Sequence, residues 1–244
     1  RVRKKCTVGR IWFLHLIRFT EETSNVMMIA ISVRECLSKM AARVEAADYA
    51  GYDPFDALNS PLIRLIGAKS KWVRVGATQV LRRCPLNVRP ALGIRPGHNP
   101  KGLGLFLWGY ARLYALEHDA AYLEKIDSLL DRLEKVKSKG YSGNCWGYNF
   151  DWQNRTMWTP AYTPTIVNSA FIGHALLDTY FLCGVERALQ MAIEIKDFIC
   201  HDLKRHEEKN RLCFSYTPLD DGNYVHNANL LGASLLIRDR KSTR

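Results

Sequence analysis

Aromatic and hydrogen-bonding side chains are concentrated in the loop between Tyr141 and Pro164. Flat aromatic faces stack on sugar rings, while amides, carboxylates and guanidinium groups bind sugar hydroxyls or uronate carboxylates. The loop is therefore expected to bind a saccharide, although the same rings could instead only fill the end of a core. The substrate-binding candidates of this loop are Trp146, Tyr148, Asn149, Trp152, Gln153 and Arg155.

Three aspartates are candidates for acid/base catalysis. Asp151 lies between two aromatic residues, which could desolvate its carboxyl group and raise its pKa. Glycoside hydrolysis needs a second carboxylate, and Asp53 and Asp56 are the candidate partners. The structural alternatives stay open. Asp151 could close an Asx turn or pair with Arg155, and Asp53, which precedes a proline, could fix a turn.

Two histidines lie on apolar helical segments, and they could form an acid/base pair of the kind that sugar epimerases use. These are His174 and His226. The structural alternative for His174 is a bond to Asp178, four residues later on the same helix. Asn168, near the start of a helix, and Tyr216, in a second aromatic loop, complete the candidate saccharide-binding residues.

No metal or cofactor is expected. The seven cysteines form no CxxC pair, which argues against a zinc site and favours a reducing cytoplasm over a disulfide framework. The glycines at 102 and 104 open a helix, but they lack the third glycine and the preceding strand of a dinucleotide-binding loop.

Composition excludes several classes of protein. With 47% hydrophobic and 24% charged residues, the chain matches a globular protein, and its apolar runs are too short to predict a membrane span. The net charge of +11 includes +4 from residues 1–26 and +2 from residues 239–244. Because the rest carries only +5, with no obvious basic arm, nucleic acid is not an expected partner.

Helical periodicity predicts an all-α fold, with brief strands expected only at residues 145–148 and 212–216. Helix pairs recur with an offset of 66 residues between Tyr114 and Tyr180, and the first helix of each pair is the more apolar. This order predicts part of an (α/α)6 toroid with residues 102–116, 164–182 and 226–237 on its inner ring. The predicted helices span residues 28–48, 60–83, 102–116, 119–137, 164–182, 185–204 and 226–237.

Both ends of the chain differ from its centre. Residues 1–26 show no clean period and are expected to be a non-native or disordered leader, and residues 239–244 match the translation of a common sequencing adapter. The toroid domain is expected to span residues 27–238. Six hairpins of roughly 60 residues would need about 360 residues, so a C-terminally truncated fragment is expected.

Several sequence runs together resemble a bacterial and archaeal family found beside polysaccharide-biosynthesis genes, which has a six-hairpin-glycosidase-like toroid. Members are sometimes labelled delta-aminolevulinic acid dehydratase, but no α/β barrel or pair of active-site lysines supports that label here. The runs lie at residues 52–61, 87–94, 99–104, 140–153, 164–168, 171–178 and 214–218.

The resemblance implies a carbohydrate-active protein of cytoplasmic polysaccharide biosynthesis. Its partner would be an oligosaccharide or a polysaccharide precursor, and its reaction glycoside hydrolysis, lyase cleavage or epimerisation. Two alternatives stay open. One is a non-catalytic saccharide-binding or scaffold protein. The other is a terpenoid-cyclase-like toroid, for which Asp220 and Asp221 would be a weak acidic motif.

Overall fold

The structure is a computed structural model and describes residues 32–155, 157–219 and 224–242. It divides into two compact units, Arg1–Tyr49 and Ala50–Arg244. The described part of the first unit is a single helix, α1, over residues 32–46, followed by a turn. The predicted leader at residues 1–26 lies outside the described residues.

The second unit is built mainly from helices, which confirms the predicted all-α class. Predicted and observed helices differ mainly at two places: the helix predicted over 60–83 is interrupted after Gly67, and the one predicted over 185–204 ends in a π-helical turn. The helices are α2 (Pro61–Gly67), α3 (Lys71–Arg83), α4 (Pro100–Glu117), α5 (Ala121–Lys135), α6 (Ile166–Cys183), α7 (Glu186–Ile193), α8 (Ile195–Asp197, continued by the π turn Phe198–Asp202) and α9 (His226–Ser242), with 3-10 turns at Asp56–Asn59 and Pro90–Leu92.

Helices α4, α6 and α9 pack side by side, with α5 behind α4 and α7 behind α6. The amphipathic α5 buries only one stripe, which includes Ile126, Leu129 and Leu133, whereas α6 is buried along most of its length. Backbones of α4 and α6 come close at Gly104, where a Cβ atom would lie 2.8 Å from Cγ1 of Ile172. This order of apolar helices flanked by amphipathic ones is that of an arc of an α/α toroid.

The 66-residue repeat is visible in how the two central hairpins turn. Helix α4 is followed by His118 and α6 by Gly184, and both of these residues are in the left-handed conformation. Their amides bond the carbonyls of Tyr114 and Tyr180, each at 2.8 Å. Glycine adopts this conformation at little energetic cost, so Gly184 ends α6 and allows the tight helical hairpin predicted from the sequence.

The short strands differ from those predicted. Residues 145–148 form no strand, because the backbone there bonds to separate partners, including Ser138, Ser169 and Thr165. The loop instead contains the antiparallel pair β1 (Trp152–Gln153) and β2 (Trp158–Thr159). The predicted strand at 212–216 is present as β4 (Arg211–Phe214), paired with β3 (Arg205–Glu208).

Helix α6 is the one helix in the described part of the chain whose length and apolar composition match a membrane span. Its best window is 56% buried inside the protein, and the core helix of a soluble protein meets the same criteria. Because α6 lies between α4, α7 and α9, its apolar surface is explained by packing within the helical array.

Candidate functional site

The aromatic loop between α5 and α6 is anchored in the core by Trp146. This side chain is fully buried, and its Nε1 donates to the Leu133 carbonyl at 2.9 Å. The Trp146 amide donates to Ser169 Oγ, and its carbonyl accepts from the Thr165 amide. Trp146 therefore joins the loop to α5 and α6, and a position without exposed surface does not suit the predicted stacking on a sugar.

Asp53 lies in a turn that is held against the start of α4. Its Oδ1 accepts from the Phe55 amide at 2.9 Å, and its Oδ2 accepts from Asn99 Nδ2 at 2.9 Å. Asn99 also caps α4, since its side chain accepts from the Lys101 amide. A backbone bridge between Gly51 and Gly97 keeps the two segments together. The N-terminal end of α4 thus fixes the position of the Asp53 carboxyl group.

Burial raises the pKa of Asp53, and the nearby charge of Asp56 adds to the increase, while the hydrogen bonds from Phe55 and Asn99 and the charge of Arg89 oppose it. Asp56 itself is buried and paired with Arg89, whose Nε lies 2.8 Å from Oδ1. Burial lowers the pKa of Lys101, although the charge of Asp53 opposes this effect. Desolvation has thus moved the pKa values of Asp53 and Lys101 towards each other, as it does at many sites of proton transfer.

Two tyrosines share this environment. Burial raises the pKa of Tyr148 to about 12, and Tyr216 and Asp53 act on it electrostatically in the same direction. Burial also raises the pKa of Tyr216. Both phenols therefore stay protonated at neutral pH and can serve as hydrogen-bond donors. We call the group formed by Asp53, Lys101, Tyr148 and Tyr216 the Asp53 site.

Flat rings and an amide border the Asp53 site. The ring of Trp152 lies 6.5 Å from that of Tyr216, and the ring of Tyr148 stacks on Phe150 with centroids 5.1 Å apart. Asn149 packs its amide against Gly97, and its Oδ1 is buried with no hydrogen-bond partner in the described part of the chain. Of the loop candidates, Tyr148, Asn149 and Trp152 are the ones that lie in or next to the Asp53 site.

The other loop candidates contact α2 and α3. Asp151 Oδ1 accepts from the Ala161 amide at 2.8 Å, and its Oδ2 lies 3.5 Å from Arg64. Arg64 is therefore the cation near Asp151, in place of the Arg155 weighed from the sequence. Gln153 accepts two hydrogen bonds from Arg74, at 3.0 and 3.1 Å. The side chain of Gln153 thus fastens β1 to α3.

Arg155 is exposed, and only its backbone carbonyl contacts α3, through Lys71 Nζ at 3.5 Å. The exposed Arg155 therefore does not share a cleft with Trp146, which is buried in the core. The loop divides instead into a buried anchor, an α3-facing hairpin and the residues of the Asp53 site.

His174 belongs to a separate polar cluster that joins α4, α6 and α9. Its Nε2 lies 2.8 Å from Ser234 Oγ, and its Nδ1 lies 2.9 Å from Arg238 Nη1. Because arginine can only donate, Nδ1 accepts and the ring is neutral. Burial lowers the pKa of His174, and the charge of Arg238 lowers it further, while Asp178 opposes them.

Asp178 is the centre of the same cluster. It accepts from Trp108 Nε1 at 2.6 Å and from Arg112 Nη2 at 2.9 Å, and it pairs with Arg238. Burial acts to raise the pKa of Asp178, but hydrogen bonds from Arg238 and Trp108 hold it below its usual value. The sequence suggests a direct bond between His174 and Asp178. In the structure, Arg238 contacts both side chains and lies between them.

The two candidate histidines do not meet. His226 is exposed in the first turn of α9, whereas His174 contacts Ser234, eight residues further along that helix. At 1.5 Å per residue, this separation is about 12 Å along the axis. The pair that epimerisation calls for is therefore not assembled.

Asn168 is fully buried in the first turn of α6, and neither atom of its amide group has a hydrogen-bond partner in the described residues. Its backbone amide is satisfied by the Thr165 side chain, which caps the helix. Buried side-chain amides normally form hydrogen bonds, so the unpaired amide group of Asn168 is unusual for a position in the protein core.

The sequence reasoning missed Asn99 and Lys101 as site residues. Their signal was present, since an Asn-Pro pair at a helix start places a capping amide and the next side chains at one end of the helix. Among the residues that the structure describes, no three His, Cys, Asp or Glu side chains come close enough to hold a metal ion.

Comparison with known proteins places this geometry in a family. The family model described as beta-L-arabinofuranosidase, GH127 catalytic domain, matches residues 97–225, which is more than half of the chain. The chain belongs to this family. Neither a search of curated proteins nor a search of solved structures gave a match. As a member of the GH127 catalytic-domain family, the chain is a carbohydrate-active, glycosidase-like protein. The match includes α4, α5, α6 and the aromatic loop.

Proposed function

We propose that the protein hydrolyses a glycosidic bond at the Asp53 site, with Asp53 as the general acid. The observation that carries this proposal is a half-buried carboxyl group, held at the start of α4 by Asn99 and the Phe55 amide, in a glycosidase-like protein. A general acid must be protonated to act, and burial favours the protonated form of Asp53. Its proton would pass to the glycosidic oxygen as the bond to the anomeric carbon breaks and water adds to that carbon.

Neighbouring groups have complementary roles in this proposal. Tyr148 and Tyr216 would donate hydrogen bonds to sugar hydroxyls, and Trp152 would offer a stacking face. Hydrolysis needs a second carboxylate. We propose Asp151 of the aromatic loop, which the Ala161 amide and Arg64 hold outside the Asp53 site, so the substrate would have to extend from one to the other. Hydrolysis fits better than epimerisation because His174 and His226 lie apart.

We propose furanosides such as arabinofuranosides as the substrate class, following the activity named for the family. We further propose that the reaction belongs to polysaccharide biosynthesis in the cytoplasm. The described cysteines, at positions 36, 84, 145, 183, 200 and 213, are free thiols, which suits a reducing compartment.

The proposal is tested by incubating the purified protein with a panel of 4-nitrophenyl furanosides and pyranosides and measuring nitrophenol release. Asp53→Asn should reduce kcat by at least 100-fold, because it removes the proton donor. Asp127→Asn is the matched control, since Asp127 is exposed on α5, and it should leave kcat unchanged.

Binding is measured in parallel by tryptophan fluorescence. If the unmodified protein binds saccharides without releasing product, the hydrolytic proposal is wrong and a binding protein remains. If Asp53→Asn turns over substrate at the parent rate while staying folded, Asp53 is not the acid.

A further inference from the structure

The positive charge of the chain is concentrated in one segment. Residues 57–116 contain ten Lys or Arg residues and no Asp or Glu, so this segment accounts for +10 of the net charge of +11. Residues 27–238 as a whole carry only +5, because acidic residues outside this segment offset its charge. Helices α2 and α3 lie entirely within the segment.

Some of these cations are used inside the fold, whereas others face solvent. Arg89 pairs with the buried Asp56, and Arg74 donates to Gln153. Lys69 and Arg83 are exposed, and neither pairs with a carboxylate in the parts of the chain that the structure describes. Their charge is therefore available to an external anion.

Large apolar side chains are exposed on the same two helices. Leu65 is 77% exposed and Ile66 is 62% exposed on α2, and on α3 Trp72 is 62% exposed and Val80 is 72% exposed. Trp72, Val80 and Arg83 are spaced by eight and eleven residues, which places them on one side of α3. Leu65, Ile66 and Lys69 lie at or just after the end of α2, and a short turn joins them to α3. We call these three residues together with Trp72, Val80 and Arg83 the basic face.

We propose that the basic face docks the protein on an anionic lipid bilayer. Unpaired cations attract acidic headgroups, and exposed aliphatic side chains lower the free energy when they insert at the boundary between headgroups and acyl chains. Trp72 suits the headgroup level, where its ring meets apolar chains and its indole N–H meets polar groups. A nucleic acid would contact the cations but leave the aliphatic side chains in water. A bilayer contacts both the cations and the apolar side chains.

Docking through this face would also bring the candidate site towards the bilayer. Arg64 of α2 contacts Asp151, and Lys71 of α3 contacts the Arg155 carbonyl, so the aromatic loop adjoins both helices. A lipid-linked saccharide could then reach the Asp53 site from the surface to which it is anchored. This consequence rests on the proposed function, whereas the docking itself does not.

The docking is tested by co-sedimentation of the purified chain with vesicles of phosphatidylcholine alone or with 30% phosphatidylglycerol. Binding should require the anionic lipid and weaken at 0.5 M salt, because screening shortens the range of the attraction. Lys69→Glu should lower the partition coefficient about fivefold or more. Leu65→Ser should lower it about tenfold, because one inserted leucine side chain is lost.

Two substitutions of the same kind elsewhere serve as matched controls. Lys139→Glu changes an exposed lysine after α5, and Leu116→Ser changes a leucine that is 78% exposed at the end of α4. Both should bind vesicles like the parent. Circular dichroism should show that all four variants are folded.

Three results would overturn the proposal. The first is equal binding to neutral and anionic vesicles, and the second is parental binding by both Lys69→Glu and Leu65→Ser. The third is an absence of binding to the anionic vesicles. A mass in light scattering that then falls to the monomer in Leu65→Ser would make the face an interface between copies. Failure of hydrolysis would leave this test unchanged, so the two proposals fail separately.

Discussion

Removing the Asp178 carboxylate should destabilise the protein strongly, because one side chain connects three helices. The side chain of Asp178 is 15% exposed and accepts from Trp108 on α4 while pairing with Arg238 on α9. A hydrogen bond to a charged group contributes about 1.5–3 kcal/mol, and breaking a buried pair costs more because one charge stays unpaired. The bond from Arg112, whose side chain is 61% exposed, adds little.

We therefore expect Asp178→Ala to lower the free energy of unfolding by about 2–4 kcal/mol, or Tm by roughly 5–15 °C for a chain of this size. Urea unfolding followed by circular dichroism measures this difference. Asp178→Asn should cost less, since its amide oxygen still accepts from Trp108.

Asp131→Ala is the matched control for this experiment. Asp131 also pairs with an arginine, Arg187 at 2.7 Å, but the side chains are 53% and 41% exposed, so the loss should be under about 1 kcal/mol. Equal losses in Asp178→Ala and Asp131→Ala would refute the reasoning, because burial and the bond from Trp108 would then contribute nothing.

Further predictions concern the same helices and their packing. The folded protein holds His174 with a pKa below 6.5, so the unfolded chain binds more protons below that pH, and stability should fall as pH drops from about 6.5 through the folded pKa. His174→Gln should flatten this pH dependence in urea titrations, and an unchanged slope would mean that another group causes it. Gly104→Ala should destabilise by about 1–3 kcal/mol, because its Cβ would lie 2.8 Å from Ile172 Cγ1. Ile172→Ala removes the clashing Cγ1, so Gly104→Ala and Ile172→Ala together should cost less than the sum of the two single losses. Strictly additive losses would show that the two sites do not share a contact.

The fold was largely predictable because its signals are local. Apolar and amphipathic helices alternate along the chain in a 66-residue repeat, and turn residues such as Gly184 mark the helix ends. The interruption at Gly67 was not predictable from periodicity. There, Arg74 reaches back to donate to the Gly67 carbonyl at 2.8 Å, which satisfies the end of α2 through a contact seven residues away.

The candidate site was only partly predictable, because residue type does not reveal which face of a loop a side chain occupies. Trp146 and Trp152 lie six residues apart in one aromatic loop, yet one is buried in the core and the other borders Tyr216. His174 was predicted on the correct helix, but its partners come from α9, 60 and 64 residues away. Such long-range contacts leave no spacing signal in the sequence.

The pH dependence of furanoside hydrolysis is the most direct test of the central claim that Asp53 is the proton donor of a glycosidase-type site. Burial raises the pKa of Asp53, so kcat/KM should fall as pH rises through that pKa, because the acid is then deprotonated. The residual activity of Asp53→Asn should lack this basic limb, while Asp127→Asn should keep it. A basic limb that is unchanged in Asp53→Asn would contradict the account, because another group would then supply the proton.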